Sequence, residues 1–198
     1  FKQKTAYEML RSLVGSEMCI RDSYYTRGHL LPCSLLLENV NLLPKGGWIL
    51  DIAMGAGRNA IFLEQKGFSV IGIDIAFEAV FFAKTNAPNL KAFVADLTEF
   101  HFPKSILFNG ILNFYYLNRY LVKEFACLLK PGGVVFFETL TMPIRFIKPE
   151  ISGENLLHEG ELLKMFDAWE ILYYREGWVD GNNGKMKSIA SLIARLPG

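Results

Sequence analysis

Residues 51–60 read DIAMGAGRNA and directly follow the apolar run Trp48, Ile49 and Leu50. An apolar strand that ends in a glycine-rich turn and continues into a helix is the start of a strand–helix unit in a parallel sheet. Gly55 and Gly57 have no Cβ, so the backbone can turn tightly and lie close to a ligand. The helix that follows offers free N–H groups at its amino terminus. About one helix and one strand later, Val70, Ile71, Gly72 and Ile73 lead into Asp74. A carboxylate at that strand end can accept hydrogen bonds from ribose hydroxyls, which makes Asp74 the ribose candidate.

Outward from this loop, short apolar runs alternate with amphipathic stretches. The pattern predicts strands over 48–53, 68–73, 91–95, 110–114 and 134–138, with helices over 58–66, 78–86 and 121–129 between them. Gly67, Pro88 and the Lys130–Gly133 stretch mark the stops. A helix over 161–168 follows, then strands over 169–175 and 188–195 joined through Asp180, Gly181, Asn182, Asn183 and Gly184, an antiparallel hairpin. The expected fold is α/β, a doubly wound, mostly parallel seven-stranded sheet with a C-terminal hairpin. Within it, chemistry belongs at the carboxyl ends of the strands.

The composition fits such a fold. Hydrophobic residues make up 51% of the 198 positions and aromatics 14%, enough for an interior packed around a sheet and too many for a disordered chain. Lys and Arg number 21 against 20 Asp and Glu, so no broad charge draws the chain to nucleic acid or to an acidic membrane. No apolar run approaches the roughly 20 residues that span a bilayer, and no leader pattern opens the sequence, so a cytoplasmic location is expected. Cys19, Cys33 and Cys127 are widely spaced, which suits reduced, unreactive thiols and offers no metal site.

Gly55 to Ala60 satisfies G-x-G-x-x-A, and Asp74 follows at a dinucleotide-like distance, so an NAD-dependent oxidoreductase is the rival reading. Asp51, four residues before Gly55, separates the two. The D-x-x-x-G-x-G form resembles the first motif of class I methyltransferases, which bind S-adenosylmethionine on a Rossmann-like fold. The resemblance implies that Asp51 holds the loop and the cofactor's amino group. Ala95, Asp96 and Leu97 look like the adenine-binding motif, Asp96 accepting from the exocyclic amine and Leu97 covering the ring. By the same resemblance Ala53, Gly55, Gly57, Asn59, Asp74, Ile75, Asn113 and Phe114 are cofactor neighbours. The stretches LLPKGGWILDIAMGAGRNAIFL, NFYYLNRYL, LLKPGGVVFFETLT and NLLHEGELLKMFDAWEILYYREG are similar to the branch that includes the tellurite-resistance methyltransferases. Asn109 departs from it, standing where many relatives have Asp.

The resemblance implies in-line transfer of a methyl group to an acceptor, with His158 and Arg119 as the catalytic candidates near the substrate. Each has a plainer alternative, a structural histidine and a solvated ion pair. Asn113, Phe114, Tyr115 and Tyr116 stand where amine and base methyltransferases carry Asn-Pro-Pro-Tyr, but both prolines are missing. A small-molecule partner is therefore expected, an oxyanion of tellurium or selenium, a thiol or a small organic acid, and neither nucleic acid nor membrane. A non-catalytic module that binds the same cofactor is the other alternative, and the sequence is silent on oligomeric state. The domain is expected over 24–198. Residues 1–23, which contain SLVGSEMCIRDS, resemble a translated sequencing-library adapter and are expected to be a non-native segment with no part in function.

Overall fold

A computed structural model describes residues 31–198 apart from Lys104, Asn182 and Asn183. The expectations for residues 1–23 and for Cys19 lie outside the described residues. Seven strands form one sheet: β1 (Trp48–Ile52), β2 (Ser69–Asp74), β3 (Lys91–Val94), β4 (Phe108–Phe114), β5 (Leu129–Leu140), β6 (Glu170–Asp180) and β7 (Met186–Arg195), in the order β3-β2-β1-β4-β5-β7-β6. Only β7 runs against the rest, pairing antiparallel with β5 and β6. The doubly wound sheet with its C-terminal hairpin is thus as expected.

Alternation along the strands divides the core. Ile49, Leu112, Phe136 and Ile193 point to one face, beneath α1 (Ser34–Asn39), α2 (Arg58–Gln65) and α3 (Phe77–Asn86). Leu50, Ile111, Phe137 and Leu192 point to the other, beneath α4 (Arg119–Leu128) and α5 (Glu161–Met165). Successive strand side chains face opposite ways, so covering both faces with helices explains why the strands read as unbroken apolar runs. Phe125, Phe136, Phe137 and Phe166 are among the largest fully buried side chains, each worth roughly 1.5–3 kcal/mol on burial.

Four elements differ most from the sequence expectation. Strand β5 begins at Leu129 instead of Val134, because Leu129 pairs with Phe108 before a register shift and Gly133 O accepts from Leu196 N at 2.8 Å. Helix α5 ends at Met165, three residues early. Phe166 leaves the helix to stack edge-on against Phe137 and Trp169, and this burial outweighs another turn of helix. The hairpin strands run several residues further towards their tip. Asn109 has a local structural part: a Cβ on Gly47 would sit 1.9 Å from its Oδ1, so Gly47 leaves room for that amide.

Between β2 and β4, strand β1 is the point where the strand order reverses, and ligands of open α/β sheets bind in the crevice outside such a point. The register places Ile52 beside both Ile73 and Asn113, so the ends of β1, β2 and β4 lie level there. Among the described residues, no helix is long and apolar enough to cross a membrane, and no cluster of three or more His, Cys, Asp or Glu side chains is arranged to hold a metal.

Candidate functional site

The loop after β1 takes left-handed backbone at Ala53, Gly55 and Gly57, with φ of 51°, 57° and 76°. Met54 N donates to Ile73 O at 3.0 Å and Gly57 N to Met54 O at 3.1 Å, which folds the loop back onto the end of β2. Asp74 completes the turn. Its Oδ2 accepts from Gly55 N at 2.7 Å and its Oδ1 from Ala76 N at 2.8 Å. A Cβ on Gly55 would meet nothing within 4 Å, so that side of the loop is open to a ligand. A Cβ on Gly57 would fall 2.9 Å from the Cβ of Ala83, so that side is closed against α3.

Asp51 is buried at the end of β1, and its Oδ2 has no hydrogen-bond partner. Burial pushes its carboxyl up to about 7; Arg58 pulls the other way, Asp74 pushes further up and the Ala60 N–H pulls down. A buried carboxylate with an unsatisfied oxygen is costly unless a cation or donor reaches it. Together, the unsatisfied oxygen and the open face of Gly55 fit a ligand with an ammonium group above the loop.

The other cofactor candidates fall into two groups. Asn113 is buried beside Ile52 on β4, and its Nδ2 donates to Tyr116 O at 2.7 Å, shaping the turn after Phe114. Asn59 accepts from Cys33 N at 2.9 Å and ties α2 to the start of α1. Beyond β3, Asp96 is exposed, and its Oδ1 accepts from Thr98 N at 2.8 Å and Thr98 Oγ1 at 2.7 Å, while Leu97 is buried. Ile75 is 43% exposed just past Asp74, an uncommon setting for an isoleucine and one suited to covering a flat ring.

A second cluster, which the sequence reading missed, adjoins the first. Glu138 lies near the end of β5, only 4% exposed, yet three side chains donate to it. Tyr115 Oη reaches Oε1 at 2.5 Å, Cys33 Sγ reaches Oε1 at 3.5 Å and Ser191 Oγ reaches Oε2 at 2.8 Å. Lys187 Nζ stands 3.8 Å from Oε1 and donates to Tyr115 Oη. Arg58, the first residue of α2, lies over the Tyr115 ring at 5.9 Å, which joins this cluster to the loop after β1. Tyr115 directly follows β4 with φ 59°, and such backbone in a non-glycine residue costs on the order of 1–3 kcal/mol and collects at functional sites. Burial, then the charge of Glu138, keeps the Tyr115 hydroxyl protonated far above the usual tyrosine range, and the same two causes push the Cys33 thiol up to about 12. The sequence signal was a glutamate inside the apolar run VVFFETL, since a charge in a strand buried on both faces needs a reason.

The two acceptor-side candidates take different places. Arg119 opens α4, and its Nε and Nη2 clasp Glu161 at 2.6 and 3.0 Å, while Nη1 and Nη2 donate to the carbonyls of Glu154 and Leu156. These bonds use all three guanidinium nitrogens to hold the segment 154–161. His158 is exposed; its N–H donates to Glu161 Oε2 at 2.8 Å and its imidazole makes no hydrogen bond among the described residues. Neither residue is bonded to the Tyr115–Glu138 cluster.

Residues 49–133 match a family model described as a methyltransferase domain. The ribosomal RNA small subunit methyltransferase J of Bdellovibrio bacteriovorus is 28% identical over 182 residues, covering 75% of this chain and 70% of that protein. The ubiquinone biosynthesis O-methyltransferase of Albidiferax ferrireducens is 32% identical over 158 residues, covering 71% of this chain and 63% of that protein. Among solved structures, TehB from Haemophilus influenzae superposes with a TM-score of 0.72 at 18% identity, over 83% of this chain and 62% of that one, a likeness of fold.

Proposed function

We propose that this S-adenosylmethionine-dependent methyltransferase, whose residues 49–133 match a methyltransferase domain, methylates a small-molecule acceptor bound beside the ends of β1, β4 and β5. The observation that carries this reading is the compact polar cluster of Tyr115, Arg58, Lys187 and Glu138 next to the loop after β1. The near balance of 21 basic and 20 acidic residues supports it, since sequence-independent binding of a polynucleotide draws on clustered positive charge.

When bound, S-adenosylmethionine supplies a methyl group made electrophilic by its sulfonium. In this reading Asp51 takes the cofactor's ammonium, the backbone at Gly55 and Gly57 lies along the methionine part, and Asp74 faces the ribose with the lone pairs its loop bonds leave free. Asp96 and Leu97 hold the adenine, with Ile75 over the ring, and Ala53, Asn59, Asn113 and Phe114 shape the cavity. The chain's own work is alignment and the exclusion of water, and orienting two bound reactants lowers a barrier by roughly 7–11 kcal/mol. Arg119 acts by holding the segment 154–161, and His158 stands on that segment as an acceptor-side residue.

Soft nucleophiles and small organic acids head the candidate acceptors, with oxyanions of tellurium or selenium among them. The test is a screen of such acceptors, with ribosomal RNA beside them, for release of S-adenosylhomocysteine. Turnover with a small molecule and none with RNA is expected; methylation of RNA alone would overturn the proposal.

A further inference from the structure

We propose that Tyr115 and Glu138 form a proton route out of the acceptor site, and that the acceptor is a hydroxyl or thiol methylated on the atom that loses its proton. This rests on the methyl-transfer reading above and names the acceptor class that reading leaves open.

The hydrogen-bond valences of the Tyr115 hydroxyl set the direction of the proton. The hydroxyl donates its one proton to Glu138 Oε1 at 2.5 Å and accepts one bond from Lys187 Nζ. One lone pair remains on Oη, and it can be filled only by a donor. Tyr115 as a whole residue is 37% exposed while its hydroxyl is desolvated, as a group at the floor of a ligand site would be. Lys187 Nζ, with its side chain 31% exposed, has a proton left over to donate to the same ligand. A hydroxyl or a thiol meets both needs, giving a proton to Tyr115 and accepting one from Lys187; a fully ionised oxyanion offers Tyr115 nothing.

Glu138 gives the proton a destination. Three donors and the Lys187 charge hold its carboxylate inside the sheet, on the side of Tyr115 away from solvent. A carboxyl group buried in a sheet is a poor way to stabilise a fold, so the arrangement points to use. The positive φ of Tyr115 is a second cost at the same place, and it is what turns the hydroxyl from the end of β4 towards β5. In the step itself, the acceptor's O–H or S–H bond breaks and its proton passes to Tyr115 Oη as the Tyr115 proton passes to Glu138 Oε1. The electron pair stays on the acceptor atom as the nucleophile for the methyl carbon. Tyr115 is neutral before and after, and Glu138 ends protonated. Arg58 over the ring fixes the tyrosine beside the cofactor loop, and Cys33 and Ser191 hold the carboxylate.

The full chain with bound S-adenosylhomocysteine is titrated with 4-nitrophenol at a pH where the free phenol is largely protonated, and the phenolate absorbance is read. We expect the bound probe to be ionised in the wild type and at least tenfold less so in Tyr115→Phe, which keeps the ring and its cation contacts, and in Glu138→Gln. Failure of the probe to bind, binding without ionisation, or equal ionisation in a folded Tyr115→Phe would overturn the route. Ionisation lost in Tyr115→Phe, with no acceptor in the screen releasing S-adenosylhomocysteine, would leave the route standing and remove the methyl-transfer reading instead.

Discussion

The Asp74 carboxylate accepts the Gly55 N–H at 2.7 Å, so the residue expected to face a ribose also locks the glycine loop after β1. Its other oxygen holds Ala76 N at the start of the next connection. Asp74→Ala therefore removes two charge-assisted bonds from the empty protein, each worth roughly 1.5–3 kcal/mol. Thermal unfolding without cofactor should show a clear loss of stability, and calorimetry a weaker affinity for S-adenosylmethionine. A loss of affinity with stability unchanged would assign Asp74 to the ligand alone.

On the proposed role of Asp51, cofactor binding is expected to depend on pH. Its folded carboxyl is pushed up to about 7 from a normal value near 4, so the folded state holds this proton more tightly than the unfolded chain. The stability this group contributes is full below the unfolded value and is lost as pH rises from about 4 through about 7. A cation bound at Oδ2 favours the ionised form and expels the proton. Affinity for S-adenosylmethionine should therefore tighten as pH rises through about 7. Asp51→Asn should flatten that dependence, weaken binding at least tenfold and raise the unfolding temperature of the cofactor-free protein at pH 8. An unchanged slope in the variant would show that the linked proton lies elsewhere.

Gly57 precedes α2 as its N-cap at φ 76° with Ala83 close behind it. Gly57→Ala should cost about 1–2 kcal/mol from left-handed backbone alone, and more because the new Cβ would stand 2.9 Å from that of Ala83. Thermal unfolding measures this directly. Gly55→Ala carries only the backbone cost in the empty protein, since its Cβ meets no neighbour, but it should interfere with cofactor binding. The pair thus separates a packing glycine from a ligand-facing one.

The sheet was legible because its signal is local. Apolar runs buried on both faces, punctuated by Gly67, Pro88 and Lys130–Gly133, fix strands and helices without knowledge of their neighbours. The candidate cofactor residues could be singled out for the same reason, since Asp51, Gly55, Gly57 and Asp74 belong to two short segments. The Glu138 cluster was not. Its members stand at 33, 58, 115, 138, 187 and 191, and only the order β4-β5-β7 brings the last four together. The short α5 was hidden too, because the contact that ends it, Phe166 on Phe137, joins residues far apart in the chain.

Arg119 was expected either beside the acceptor or in a solvated ion pair, and its bonds tie it to the segment 154–161. It clasps Glu161 and the carbonyls of Glu154 and Leu156, and its hydrogen bond holds the Glu161 carboxyl below the usual range. A lowered carboxyl stabilises the fold above its unfolded value and loses that contribution as pH falls through the folded one, so the contact fails only in acid. The Arg119 side chain is 35% exposed, and solvent screening limits the ion pair to about 1 kcal/mol or less. The two carbonyl bonds remain to be counted, and they fix the segment on which His158 stands. Arg119→Ala should lower turnover by loosening that segment while affinity for S-adenosylmethionine stays near the wild-type value. His158→Ala should also lower turnover without changing that affinity, and without the faster amide exchange over residues 154–161 that Arg119→Ala should produce. Hydrogen exchange together with turnover distinguishes the two roles: faster exchange in the arginine variant at unchanged turnover would confine Arg119 to stability.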